Sequence, residues 1–466
     1  MAALVLLCIA QFVVVLDVTI VAVALPTVQR ELQFSAPDLQ WVVTAYTLCF
    51  AALLTVAGRA ADLWGRRRLF VAGLAVFCAG SAGCALAESA AVLVAMRAAQ
   101  GCGAAALSAS ALALLMATFP SGGERERAVA AWTAAAAGGG ASGWVLGGFM
   151  TQELGWESVF LVNLPIGLLA LAVTPSVLRE TRDSSASSRL DLVGAVTLAA
   201  GLAALVFSLT RAERSGWSSP DTVAGLAAAA ALLLAFWRHE RSTRAPLLPL
   251  ADLRRPGFAT ACTAGLFLTA TTTPAMFLAV LLQQHVLGYS PTEAGLGSAP
   301  FNVAVIAGSA AGPAVSRSVG PRRTMVGGLL AVGAGSFVLA AAAGGSGYPD
   351  LLVAFTLMGA GLGCASVAST ALGTAALPAP RQGLAAGALG TAAQVGTVLG
   401  LAAFIPLAAA HGRAVGELAS GYAWGHAGVA LTALAAALLL GLTTGTPGYT
   451  RRRLAAGNGR KDSREA

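Results

Sequence analysis

Long apolar runs govern what this chain can become. About 20 consecutive apolar residues cross a hydrocarbon layer about 30 Å thick as a helix, and the sequence supplies many such runs between short polar breaks. Charged residues make up 11% of the chain and apolar ones 57%, whereas a soluble domain carries about 25% charged residues. Most of the surface therefore faces something other than water. A membrane barrel reads as short alternating segments, which these runs are not. The pattern specifies an all-α polytopic membrane protein.

Hydropathy places fourteen spans near 3–26, 39–57, 69–87, 90–117, 128–150, 158–178, 192–210, 221–237, 257–282, 293–315, 324–343, 350–376, 383–409 and 424–443. The polar breaks then alternate between two sides. Of the 29 Lys and Arg residues, twenty-four fall on one side and four on the other, with Arg97 inside a span. Acids divide evenly. Basic loops stay in the cytoplasm and acids contribute little, so both termini are expected there, in the cell membrane. The apolar start lacks a basic leader and a small-residue cleavage site, so it is expected to be a retained helix.

Composition excludes other functions. Lys461 is the one lysine against 28 arginines, so no phosphate-binding loop ending in Gly-Lys-Ser/Thr exists. The net charge of +8 follows membrane topology, which argues against nucleic acid as a partner. Seven cysteines, with no Cys-x-x-Cys pair, read as small apolar residues. Neither a metal nor a cofactor is expected. Without a metal cluster, nucleophile elbow or paired carboxylates, neither is enzyme activity.

The chain also repeats itself. "GPAVSRSVGPRRTM" echoes "AGRAADLWGRRRLF": Gly312 answers Gly58, Gly320 answers Gly65, and Arg322 and Arg323 answer Arg67 and Arg68. A half-chain repeat of the same sense marks transporters built from two parallel halves with the substrate between them. The expected organisation is a six-helix bundle over 1–178, a linker with two helices over 179–255, a second six-helix bundle over 256–443 and a cytoplasmic tail over 444–466.

Two ionisable groups lie well inside spans, Asp17 and Arg97. Each costs a few kcal/mol at mid-membrane. Helix direction brings them to similar depth, where they either pair permanently or serve as a proton site. Gln100, Gln283, Asn302 and Gln394 are candidates for a substrate cavity or for helix–helix hydrogen bonds. Gly139, Gly143 and Gly147 share one helix face, with Gly148 beside them, and admit a close neighbour.

These motifs resemble the major facilitator superfamily, in its fourteen-helix drug:proton antiporter branch. "LDVTIVAVALPTV" is similar to that branch's first helix and carries its acid onto Asp17. "RAAQGCGAA" resembles its fourth-helix motif at Arg97, Gln100, Gly101 and Gly103. The loop signature lands on Gly58, Asp62, Gly65, Arg66 and Arg67, with Leu63 where an arginine is usual. The resemblance implies a conformational latch there, proton coupling at Asp17 tuned by Arg97, and a monomeric exporter of amphipathic organic compounds held in membrane lipid. Arginine- and alanine-rich members resemble actinobacterial exporters of antibiotics. The fifth-helix motif reads Gly143-Trp144 where the family has Gly-Pro, so a straighter helix is expected. A proton-coupled metabolite importer of the same fold, and a non-transporting sensor or scaffold, remain alternatives.

Overall fold

The structure is a computed structural model. It describes all residues except 36–37, 120–122, 182–190, 244–245, 247–254, 343–346, 378–381 and 443–466. Among the described residues there are fifteen helices: α1 (Ala2–Glu31), α2 (Trp41–Trp64), α3 (Arg66–Ala85), α4 (Ala90–Thr118), α5 (Gly123–Leu154), α6 (Ser158–Leu161), α7 (Asn163–Val177), α8 (Leu192–Ser215), α9 (Pro220–Ser242), α10 (Pro256–His285), α11 (Pro291–Val319), α12 (Pro321–Ala342), α13 (Tyr348–Ala375), α14 (Gln382–Val415) and α15 (Leu418–Leu442). Helices α6 and α7 adjoin and cross as one pass, Ser158–Val177. Among the described residues the helices thus form fourteen segments, twelve of them long and apolar enough to cross a membrane, with α2 holding the shorter apolar stretch Trp41–Leu54. Most run a few residues past their apolar windows, where local caps rather than hydropathy set the ends.

The caps are visible in the residues. Ser290 bonds the backbone of Glu293, whose carboxylate bonds back to the Ser290 amide, and Pro291 opens α11; this reciprocal pair satisfies two amides that a helix start leaves bare. Ser89, Asp191 and Ser219 cap α4, α8 and α9 in the simpler way. Gly65 ends α2 with φ 109°, a backbone that side chains avoid. Gly320 repeats it between α11 and α12 with φ 92°. Helix α5 continues unbroken through Trp144, with no proline inside it.

Packing falls into two groups. In the first, α1 lies along α5 and touches α4 and α7, while α3 packs on α4 and α7, and α2 on α4. In the second, α11 and α12 pack on α13, α10 on α14, and α12 and α14 on α15. The groups match in detail. Gly101 of α4 abuts the Tyr46 backbone of α2, and Gly359 of α13 abuts the Phe301 backbone of α11. Gly80 of α3 abuts Gln100, and Gly335 of α12 abuts Met358. The sequence repeat is thus a packing repeat.

The groups meet along two seams, α5 with α11 and α2 with α14. At the end holding the α1 C-terminus, here the distal end, one apolar core joins both groups. It includes Ile20, Val23 and Trp144 from the first and Phe277, Leu281 and Phe301 from the second. Gln284 Nε2 donates to the Val23 carbonyl at 3.0 Å across the same junction. Toward the opposite, proximal end, the groups keep separate cores, one around Phe70 and Phe77 and others around Met325 and Phe258. Helix α8 lies over the α2–α14 seam, its Leu198, Leu202 and Val206 packed with Leu48, Val56 and Val398.

The glycine face of α5 fixes how close the distal end can draw together. A Cβ on Gly139 would strike the Phe12 carbonyl of α1, one on Gly143 the Thr19 hydroxyl, and one on Gly147 would lie 2.6 Å from the Ile20 carbonyl. On the adjoining face, a Cβ on Gly148 would lie 2.5 Å from the Pro291 carbonyl of α11. At Gly139, Gly147 and Gly148 the nearest obstacle is backbone, which cannot rotate aside. Gly148→Val is therefore expected to wedge the distal seam open. A Gln284→Cys reporter should then react several-fold faster with a membrane-impermeant maleimide than in the Gly148 background; equal labelling would show that the seam tolerates the bulk.

Candidate functional site: a buried charge network

Five polar side chains meet inside the first helix group. Asp17 comes from α1, Ser81 from α3, Arg97 and Gln100 from α4, and Asn163 from the start of α7. Asp17, Ser81, Gln100 and Asn163 have no exposed surface and Arg97 has 1%. Arg97 and Gln100 are three residues apart, so both project from one face of α4. Gly80 and Gly101 let α3 and α2 draw close to that helix, which is why a cluster of five polar groups can be walled off from both lipid and water.

Every oxygen of the carboxylate is answered. Arg97 Nη1 lies 2.6 Å from Asp17 Oδ2. Gln100 Nε2 and Asn163 Nδ2 each donate to Asp17 Oδ1 at 2.8 Å. The same two amides donate to Ser81 Oγ, at 2.6 and 3.0 Å. Arg97 has further anchors: Nη1 to Gln100 Oε1 at 2.7 Å, Nε to the Val42 carbonyl of α2 at 2.9 Å, and the Tyr46 ring 4.3 Å from its Cζ. Cationic groups over aromatic faces gain about 0.5–2 kcal/mol. The site thus ties α1, α2, α3, α4 and α7 through one negative and one positive charge. Asn163 Oδ1 and the Tyr46 hydroxyl are buried without a partner among the described residues.

Such a pair is stable only as a pair. Removing one partner of a buried ion pair costs about 3–5 kcal/mol, whereas neutralising both is often tolerated. Chemically, the arrangement answers a carboxylate entirely with protein donors, without solvent contact. Adding a proton to it would leave Arg97 with the Val42 carbonyl, Gln100 and the Tyr46 ring.

The other candidate residues distribute differently. Gln100 belongs to this network, its amide committed on both sides, rather than facing open space. Gln283 is fully buried within the second group, donating to Ser298 Oγ of α11 at 3.1 Å. Asn302 sits at the α5–α11 seam, its Oδ1 opposite Gly140, with Nδ2 unpartnered among the described residues. Gln394 is half-buried on α14. These four do not converge on one site.

At the proximal end, the loop glycines and arginines meet a residue that sequence reasoning missed. Glu180, just past α7, accepts from the Arg67 amide at 3.1 Å and the Arg68 amide at 3.2 Å, at the start of α3. Both guanidinium groups approach it at 3.9 Å. A carboxylate suits the positive end of a helix. Gly65 is needed there for its φ of 109°, and a Cβ would also crowd Glu180 Oε1 at 2.7 Å. The Arg66 amide donates to the Thr181 carbonyl, and Arg67 Nη1 to the Leu178 carbonyl at the end of α7. Arg322 does the same in the second group, donating to the Leu440 and Gly441 carbonyls at the end of α15. Gly58 lies within α2 with open space beside it; the side chain of Asp62 lies outside the described residues.

A family model described as Major Facilitator Superfamily matches residues 7–401 and 261–459. The chain is 40% identical over 448 residues to the cephamycin export protein CmcT of Amycolatopsis lactamdurans, covering 94% of this chain and 91% of that one. It is 36% identical over 393 residues to the multidrug resistance protein Stp of Mycobacterium tuberculosis, covering 84% and 72%. Among solved structures, the fold resembles the POT family transporter PepTSo, with a TM-score of 0.71 at 14% identity over 95% and 97% of the two chains. That last likeness concerns the fold alone.

The network makes a stability prediction. Asp17→Asn leaves a buried guanidinium unanswered and should lower the thermal midpoint of the detergent-purified protein sharply, by the equivalent of about 3–5 kcal/mol. Asp17→Asn/Arg97→Gln should recover most of that loss. Additive losses in the double variant, followed by thermal melts, would mean that the two charges do not support one another.

Proposed function

The chain belongs to the major facilitator superfamily, and from that premise we propose that it exports amphipathic organic compounds across the cell membrane in exchange for protons. Membership makes it a transporter rather than an enzyme. The relatives named for cephamycin export and multidrug resistance support export as the direction. The substrate is then a small hydrophobic or amphipathic molecule. With Asp17 buried against Arg97, no other mid-span acid is left in the sequence to select a cation. This favours neutral or weakly charged compounds.

The observation that carries the coupling is the network around Asp17: a carboxylate inside the fold, wholly shielded, whose one charge partner sits on a different helix. Residues 1–178 and 256–443 act as the two halves in this reading. With the arginine-rich side in the cytoplasm, the sealed distal end faces outward. The compound enters between the halves from the cytoplasm or the inner leaflet as a protonated Asp17 gives up its proton there and pairs with Arg97. Opening the distal seam then exposes α1 to external protons. A proton on Asp17 weakens its hold on Arg97 and lets α1 shift against α4. The glycine face of α5 follows α1, and α11 follows α5 through Gly148 and Gly295, the latter packed on the Trp144 carbonyl. Glu180, Arg67 and Arg68 brace the proximal end of α3 as the halves rock. Gly58, Asp62, Gly65, Arg66 and Arg67 serve there as the latch.

One coupled proton contributes about 2.3 kcal/mol per 100 mV, equivalent to about a fifty-fold substrate gradient. In inverted vesicles at that potential, wild-type protein should release lumenal protons when a hydrophobic antibiotic is added. Asp17→Asn/Arg97→Gln, which retains the fold, should lose the proton signal and most of that accumulation while still equilibrating substrate. Wild-type accumulation by the double variant would remove Asp17 from the mechanism and leave the pair as packing.

A further inference from the structure

The two halves treat their matching arginines differently. In the first half, Glu180 lies against the Arg67 and Arg68 amides and both guanidinium groups. In the second, the framework recurs: Gly320 has the same left-handed turn as Gly65, and Arg322 holds the α15 end as Arg67 holds the α7 end. No carboxylate recurs at Arg323 among the described residues. From Leu418 to Lys461 the sequence contains no acid, and it adds Arg451, Arg452 and Arg453. Arg323, the counterpart of Arg68, is exposed and has no ion-pair partner among the described residues.

The unanswered arginine stands at the mouth of a groove. A recess of about 490 Å³ is lined by Arg322, Arg323, Val326, Gly327, Leu330 and Gly441. It continues at Leu330 into a second recess of about 440 Å³ between α12 and α15. The second has an apolar wall. Its lining combines Gly333, Ala334, Ala427 and Ala430 with Leu330, Phe337, Leu431 and Leu434. Small residues where the helices meet, flanked by large ones, leave a trough. Each volume falls within the about 300–1,000 Å³ of ligand sites.

We propose that this groove binds an anionic phospholipid, its phosphate at Arg323 and one acyl chain laid between α12 and α15. Basic pockets between helices near the cytoplasmic surface recognise such headgroups. Here the lipid phosphate supplies to the second half the negative charge that Glu180 supplies to the first. The charge at one end and the hydrocarbon trough at the other fit one molecule, and neither free phosphate nor a neutral lipid satisfies both.

Native mass spectrometry of the detergent-purified chain, titrated with phosphatidylglycerol or phosphatidylcholine, tests this without reference to transport. Wild-type protein should retain phosphatidylglycerol in preference to phosphatidylcholine. Arg323→Gln should weaken that binding about fivefold. Gly327→Leu, where a side chain meets open space, should weaken both lipids by filling the recess beside Arg323 while leaving the thermal midpoint unchanged. Equal retention of the two lipids, or no effect of either substitution, would overturn the proposal. So would a lipid-independent dimer lost in Gly327→Leu, because a second copy would then occupy the groove.

Discussion

A charge that cannot reach water must be answered by protein. That requirement organises the first half of this molecule. Asp17 has no exposed surface, and its two oxygens take three donors from three residues on two other helices. The glycines of α3 and α4 follow from it, since those helices must close around the network before the pair becomes cheaper than two separate ions. In a membrane, where apolar surface gives helices little reason to associate, close backbone approach and polar contacts carry the packing instead.

The second half keeps the framework and discards the charge. Met358 occupies the place of Gln100 against Gly335, and Phe355, three residues earlier on α13, the place of Arg97. Ser336 follows Gly335 as Ser81 follows Gly80. His426 lies 3.3 Å from Ser336 Oγ, much as Asn163 lies 3.0 Å from Ser81 Oγ. The buried charges therefore sit on one side of the pseudo-repeat. Within the described residues of the two helix groups Asp17 is the one buried carboxylate, so the groups differ: the first encloses a charge pair, the second an apolar wall and a seam.

Much of this was legible in the sequence because membrane insertion magnifies small signals. Fourteen spans follow from hydropathy, since a bilayer leaves few alternatives to a helix. Asp17 and Arg97 stand out because charge is otherwise absent at that depth. The Gly139–Gly143–Gly147 spacing likewise announces a close helix contact. Hydropathy does not say which way a neutral side chain turns, however. Gln100 goes into the charge network, Gln283 into the second half and Asn302 to a seam, though all three look alike in sequence. Ser81 leaves no trace among other small residues of α3. Glu180 sits in a charged linker, where acids interspersed with arginines look like ordinary solvated surface; only the return of the chain to the start of α3 gives it a partner.

Proton-coupled export, as proposed, requires a carboxylate that exchanges its proton with substrate. The most direct measurement is proton release from purified protein in weakly buffered detergent solution when a transported compound is added. One proton per chain, absent from Asp17→Asn/Arg97→Gln, is the expected result. Undiminished release from that double variant would place the exchanging group elsewhere and reduce the buried pair to a structural tie.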